Sequence, residues 1–115
     1  MRKIEYSRIA ARKLKALRAH LTAEFGSDVS EKSMKLIAQA VRGLETFPEK
    51  GKAVSALFDI ESDYRLLYIK HNYLFYRIEE NRIIIVEVFD EREDFIYKLF
   101  GITTTSSDTL DHWDE

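Results

Sequence analysis

The sequence predicts an α+β fold: an N-terminal strand, a helical hairpin packed on an antiparallel β-meander, and a C-terminal helix. Three observations predict it. Residues 8–44 hold two stretches whose apolar side chains recur at helical spacing. Residues 62–89 hold three strand-like runs separated by tight links. The helical half precedes the extended half, so the helices must cover a face of the sheet that follows.

Residues 2–6, RKIEY, read as a short strand. Ser7 is a good N-cap, and the first helix runs to Phe25 with Ala10, Leu14, Leu17, Leu21 and Phe25 as its apolar stripe. Arg8, Arg12 and Lys15 lie on another face. Gly26 is placed to end this helix in a left-handed conformation. DVSE at 28–31 looks like a capping box for a second helix, whose apolar side is Met34, Ile37, Ala38, Val41 and Leu44. Pro48 is expected to end that helix, because proline has no amide donor. Residues 49–56 suit a loop or a weak edge strand.

Strands are then expected at 62–70, 73–79 and 82–89. Lys70-His71-Asn72 forms one tight turn. Glu80-Asn81 forms the next, with Asn81 tolerant of positive φ. In the second strand Leu74, Tyr76 and Ile78 share one face, and Tyr73, Phe75, Arg77 and Glu79 the other. RIIIVEVF is apolar nearly throughout, as suits a strand covered on much of both faces. EREDFIYKLF at 91–100 reads as a final helix stopped by Gly101. This gives one domain over residues 1–101 and a polar tail at 102–115, expected to be mobile unless a partner orders it.

The composition is that of an ordinary soluble domain: 45% hydrophobic and 33% charged over 115 residues. No apolar run is long enough to span a bilayer and no signal-peptide pattern opens the chain, so a cytoplasmic protein with no membrane partner is expected. Without cysteine, thiolate chemistry and cysteine-ligated metals are excluded. No triad, phosphate loop or metal-ligand cluster is visible, so neither a metal nor a cofactor is expected. The net charge of -2 argues against strong non-specific nucleic-acid binding. The charge is uneven: residues 1–25 carry seven Lys/Arg against two Asp/Glu, and residues 90–115 carry two against eight. That asymmetry permits a local basic face, or two ends that neutralise each other.

FP-x-x-G at 47–51, DYRLLYIKHNYLFYRI at 63–78 and RIIIVEVFDERED at 82–94 together resemble the RelE/ParE family of type II toxin–antitoxin toxins. The likeness covers residues 2–100, with the same element order. It implies a growth-inhibiting toxin, associated with plasmid stabilisation and neutralised by a cognate antitoxin that itself binds operator DNA. It leaves the target open, since one fold carries several biochemistries. RelE-like members cut mRNA on the ribosome. ParE-like members poison DNA gyrase. A catalytically degenerate interaction module is a third possibility.

Carried over by resemblance, a metal-independent nuclease would use Arg65, Lys70, Arg92 and Tyr97. Tyr73 stands where that pattern has an Arg, and Glu87 and Asp90 stand where it has Arg and His. Carboxylates there raise the cost of bringing phosphate close. The lost cation favours the ParE-like reading, which asks for a protein-binding surface. Arg8, Arg12, Lys15, Tyr73, Arg77 and Arg82 are the candidates for contacting target or antitoxin. Each also has a plainer reading: the arginines as solvated strand-edge charges, the tyrosines as cross-strand packing, the basic stripe as a solvated helix face.

Overall fold

The computed structural model describes residues 2–101; the tail at 102–115 therefore lies outside the described residues. Strand β1 (Lys3–Tyr6) leads into helix α1 (Arg8–Phe25) through Ser7. The Ser7 hydroxyl accepts the Ala10 N–H at 2.9 Å, as an N-cap should, and donates to Val86 O at 2.9 Å. The residue that starts the helix also fastens it to the sheet.

Gly26 alone separates α1 from α2 (Ser27–Arg42); its φ of 92° is open to glycine at little cost, but with ψ at 166° it is not in the left-handed helical conformation expected, because the chain must turn straight into the next helix. The capping box expected at 28–31 does not form. Helix α2 starts at Ser27, and Asp28 sits in its first turn, where its charge meets the positive helix end instead of capping it. Pro48 does not end α2 either: the helix stops at Arg42 and tightens into a 3-10 turn over Gly43–Glu45.

Of the loop or weak edge strand open for residues 49–56, Lys52–Ala53 form a two-residue edge strand, β2. The short helix α3 (Val54–Phe58) was not anticipated, because five residues are too few for a helical period to register. Strands β3 (Arg65–Ile69), β4 (Asn72–Ile78) and β5 (Arg82–Asp90) form the meander, with β3 shorter than its expected 62–70. The last helix, α4, is Phe95–Phe100 rather than 91–100. Asp94 is its N-cap and accepts the Tyr97 N–H at 3.2 Å, so the preceding acidic residues form a corner.

The sheet order is β1-β5-β4-β3-β2. β1 runs parallel to β5 and the other pairs are antiparallel. Between Phe75↔Glu87 and Tyr76↔Ile85 the register slips, leaving Val86 as the extra residue of a bulge. The bulge breaks the period of two, so Ile83, Ile85 and Val88 all join one core.

That first core lies under the hairpin, where Ala10, Ile37, Val41 and Leu44 meet Leu67, Leu74, Tyr76, Ile83 and Ile85. A second core covers the opposite face: Val54, Leu66, Phe75 and Phe89, closed by Tyr64, Tyr73 and Phe95. The β4 alternation is as the sequence suggests. Positive φ, however, falls on Lys70 (51°) and His71 (67°) and not on Asn81. The β3–β4 connection is thus a type I′ geometry built without glycine.

Candidate functional site

At the end of the sheet that carries the β3–β4 turn, Glu91 gathers two partners. Tyr68 Oη donates to Glu91 Oε1 at 2.6 Å, and His71 Nδ1 lies 2.9 Å from Glu91 Oε2. An ionised carboxylate only accepts, so Nδ1 carries the proton and Nε2 faces outward. The Tyr68 hydrogen bond, with the nearby His71, holds the Glu91 carboxyl below its ordinary value. Asp90 holds Arg92 through its side chain, with Arg92 Nε 3.0 Å from Asp90 Oδ1, and the Asp90 carboxyl is lowered by that contact. Arg92 therefore pairs with Asp90, not with Asp94 or Glu91.

Of the residues carried over for RNA cleavage, Lys70 and Arg92 lie at the same end of the sheet, where Glu91 N–H donates to His71 O at 2.9 Å, but Arg65 stands apart. Arg65 starts β3 and Lys70 follows its end, which puts them roughly 17 Å apart along an extended strand. The Arg65 guanidinium donates to Gly51 O at 2.7 and 3.1 Å and to Glu49 O at 3.2 Å. It is a latch on the 47–51 loop. Tyr97 is exposed on α4. Tyr73 is half-buried, its ring 5.0 Å from Tyr68 and 4.7 Å from Phe95.

Arg77 and Arg82 converge on Glu79, at 2.8 and 2.6 Å, and Arg82 also reaches Glu5 across to β1. The hydrogen bonds from Arg82 and then Arg77 keep the Glu79 carboxyl below its usual range. Glu87 makes a 2.8 Å ion pair with Lys13 and also accepts the Val88 N–H. The Lys13 ammonium lies 4.2 Å from the Phe89 ring centroid. Glu87 is thus a fastener between α1 and β5. Glu79, Glu91 and Lys13 were missed by sequence reasoning, and nothing in their local sequence marks them.

Arg8, Arg12 and Lys15 stand exposed on α1, and no ion pair engages them among the described residues. Near the hairpin tip, Leu21, Phe25, Val29 and Ile37 face the 70–72 turn across a groove of about 200 Å³. Phe25 is 61% exposed there and Val29 44%, large apolar groups left without cover.

The lowered carboxyls of Glu79, Asp90 and Glu91 set a pH dependence. Their folded-state values lie below the unfolded ones, so their contribution is present above about pH 4.5, the ordinary glutamate value, and is lost as pH falls through the folded values. The urea midpoint should therefore be lower at pH 3 than at pH 7, and Asp90→Asn should narrow that gap. Equal midpoints at the two pH values would contradict the pairing described.

A helical hairpin on one face of a mixed sheet, with a basic helix face and an apolar groove left open, defines a small α+β domain. A family model described as "ParE toxin of type II toxin-antitoxin system, parDE" matches residues 4–95, and the chain belongs to that family. Among solved structures, one described as "Chromosomal ParDE TA system from P. aeruginosa" is similar, with a TM-score of 0.66 and 20% identity, covering 78% of this chain and 96% of that one. At that identity the likeness bears on the fold. A conserved hypothetical protein from Helicobacter pylori is 16% identical over 81% of this chain and 98% of its own, with a TM-score of 0.40, too low to carry an argument. No curated protein matches the chain.

Proposed function

We propose that the chain is a growth-inhibiting toxin that binds and inhibits a protein target, DNA gyrase, without hydrolysing a substrate. The observation that carries this reading is the commitment of the candidate catalytic cations. Arg65 is latched to a loop, Arg92 is clamped by Asp90, and Lys70 lies the length of β3 away from Arg65. Phosphoryl transfer needs cations that converge on one developing charge. Membership of the ParE family supports the same choice. A toxin that acts on gyrase would work in the cytoplasm, and paired with its antitoxin it would serve plasmid stabilisation.

The test adds purified chain to a gyrase supercoiling reaction and to ribosomal translation in parallel. Inhibited supercoiling with intact mRNA is expected. Cleavage of mRNA in the ribosomal A site with gyrase unaffected overturns the reading. One observation favours that second outcome: Glu91 orients His71 with Nε2 outward, beside the exposed Tyr68 ring, as a general base would require.

The cognate antitoxin completes the reading. Its apolar helix would lie in the groove beside Phe25 and Val29, and its acidic residues would meet Arg8, Arg12 and Lys15. Operator DNA would be bound through the antitoxin. Arg12→Glu combined with Lys15→Glu should weaken the complex on the order of tenfold at low salt, and less at high salt, because rim charges act mainly on encounter. Unchanged affinity at low salt rejects the basic face as the contact.

A further inference from the structure

The sheet has two edges, and they are finished differently. At one edge β2, only two residues long, pairs with β3 and leaves little to extend. The other edge is β1, Lys3–Tyr6, whose one neighbour in the sheet is β5. Two bonds fix the phase of that pairing. Lys3 N–H donates to Asn81 O at 3.3 Å, and Ser7 N–H to Ile85 O at 2.9 Å. In a parallel ladder, alternate residues turn N–H and C=O to the same neighbour. Lys3, Glu5 and Ser7 therefore face β5, while Ile4 and Tyr6 turn theirs outward. No other backbone group among the described residues takes them. Groups left open along an edge are a template for another strand.

The side chains say which strand fits. Ile4 packs on the first core, so Lys3 and Glu5 emerge on the opposite face, where both are exposed. Lys3 stands opposite Arg82 in its own sheet, a like charge, and has no ion-pair partner among the described residues. Let a second copy of β1 lie antiparallel, centred on Ile4. Ile4 then meets Ile4 of the second copy at a hydrogen-bonded position, Lys3 meets its Glu5, and Tyr6 meets its Arg2. Sliding the second copy by two residues keeps the backbone bonds but sets Lys3 against Lys3 or Glu5 against Glu5. The charges thus select the register centred on Ile4.

Another couple lies on the hairpin side. Arg42 and Glu45 line a notch of about 200 Å³ with Ile4 and Tyr6, and Glu45 also lines the neighbouring cavity with Arg2. Arg42 therefore stands toward the Tyr6 end of β1 and Glu45 toward the Arg2 end. Neither has an ion-pair partner among the described residues. Setting Tyr6 opposite Arg2 of the second copy turns Arg42 toward that copy's Glu45.

We propose that the chain associates with a second copy of itself through β1, antiparallel about a two-fold axis at Ile4, joining two five-stranded sheets into one. The contact is the same patch on both copies, so it closes at two and does not propagate. It is one strand long, well short of the about 1,600 Å² of a stable complex, so the pair forms at high concentration and dissociates on dilution. The inference stands apart from the gyrase and antitoxin readings, which rest on other elements.

Sedimentation equilibrium of the full chain, from low micromolar to millimolar concentration, should show a reversible shift from one chain to two. Over the same range, residue-resolved amide exchange should slow at Ile4 and Tyr6 and change little at Lys3 and Glu5, which already bond to β5. Charge reversal reads the register. Lys3→Glu alone and Glu5→Lys alone each set like charges across the axis, so each variant should stay single where the unaltered chain pairs. Glu79 still holds Arg82 when Glu5 is replaced, and circular dichroism checks that both variants fold. Mixed in equal amounts they should pair again, because one edge is then acidic at both positions and the other basic at both. A single chain at every concentration, pairing without slowed exchange at Ile4 and Tyr6, or a mixture of folded variants that associates no better than either alone overturns the proposal. Antitoxin and gyrase are absent throughout, so failure here leaves the functional reading untouched.

Discussion

Gly51→Ala is expected to lower the free energy of unfolding by about 3 kcal/mol, at the upper end for overpacking a closed site. A Cβ at this position would stand 2.7 Å from Tyr76 Oη, 2.8 Å from Tyr76 Cε1 and 2.8 Å from Leu66 O. Gly51 is kept for closeness of approach, not for a left-handed backbone. Its N–H donates to Tyr76 Oη at 2.9 Å, and that hydroxyl donates to Pro48 O at 2.7 Å. Arg65 closes the same loop onto Gly51 O from the other side. The FP-x-x-G stretch is therefore a strap pinned to β3 and β4, and a methyl group at Gly51 pries it off. Adding Tyr76→Phe should not restore the loss, because Tyr76 Cε1 and Leu66 O still crowd the methyl group and the hydroxyl's bonds to Gly51 N–H and Pro48 O are lost with it. A loss under about 1 kcal/mol in a urea titration would show that the strap relaxes freely.

Phe75→Ala should cost about 4 kcal/mol, as for truncation of a fully buried aromatic ring. Phe75 is 0% exposed and is the centre of the second core. Its ring meets Phe89 edge-on at 5.9 Å and Phe95 at 5.4 Å, with Tyr64 at 6.5 Å. The cover over it consists of α3, with five residues, and α4, with six. Helices that short have little stability of their own. The substitution should thus act in two ways: the global midpoint falls, and amide exchange protection in Phe95–Phe100 is lost well before global unfolding. Retained protection in α4 alongside a lowered midpoint would show that Phe95 and Ile96 hold the helix without Phe75. Either loss is a large share of the 5–15 kcal/mol typical of a domain.

The corner at Glu87 to Asp94 shows how a sequence-level contrast changes meaning in three dimensions. Against the family pattern, Glu87 and Asp90 are carboxylates where cationic groups are expected, and they argue against RNA cleavage. In the fold they have specific work: Glu87 ties β5 to Lys13, and Asp90 holds Arg92. Replacing Glu87 with arginine would set it against Lys13, so a cleavage-restoring swap at that position also unfastens α1. Substitution at Asp90 alone is the cleaner probe.

Much of the architecture is legible from neighbours in the chain. The Ser7 cap, the helical stripe led by Ala10, the alternation through β4 and the glycine stops at 26 and 101 all depend on residues within a few positions of one another. So does the basic row on α1, because a helix brings every third or fourth residue to one side. The misplaced features share a different origin. The start of α2 was decided by Gly26 turning the hairpin in one residue, which overrode the local capping signal. The bulge at Val86 was decided by pairing with β4, and it moved Val88 to the hairpin side. Positive φ fell on Lys70-His71 because a two-residue link between paired, twisted strands imposes it, whatever residues stand there.

The same division governs the site. Composition and spacing settle that the chain has cations, where they lie along the elements, and that α1 gathers a row of them. Which cations are engaged is a tertiary matter. Lys13 finds Glu87 across 74 positions of sequence and Arg82 finds Glu5 across 77, while Arg65 closes on the Gly51 carbonyl 14 residues back. A charge has a sign in the sequence, but its partner is chosen by approach within about 3 Å, and only the packed sheet and hairpin set that distance.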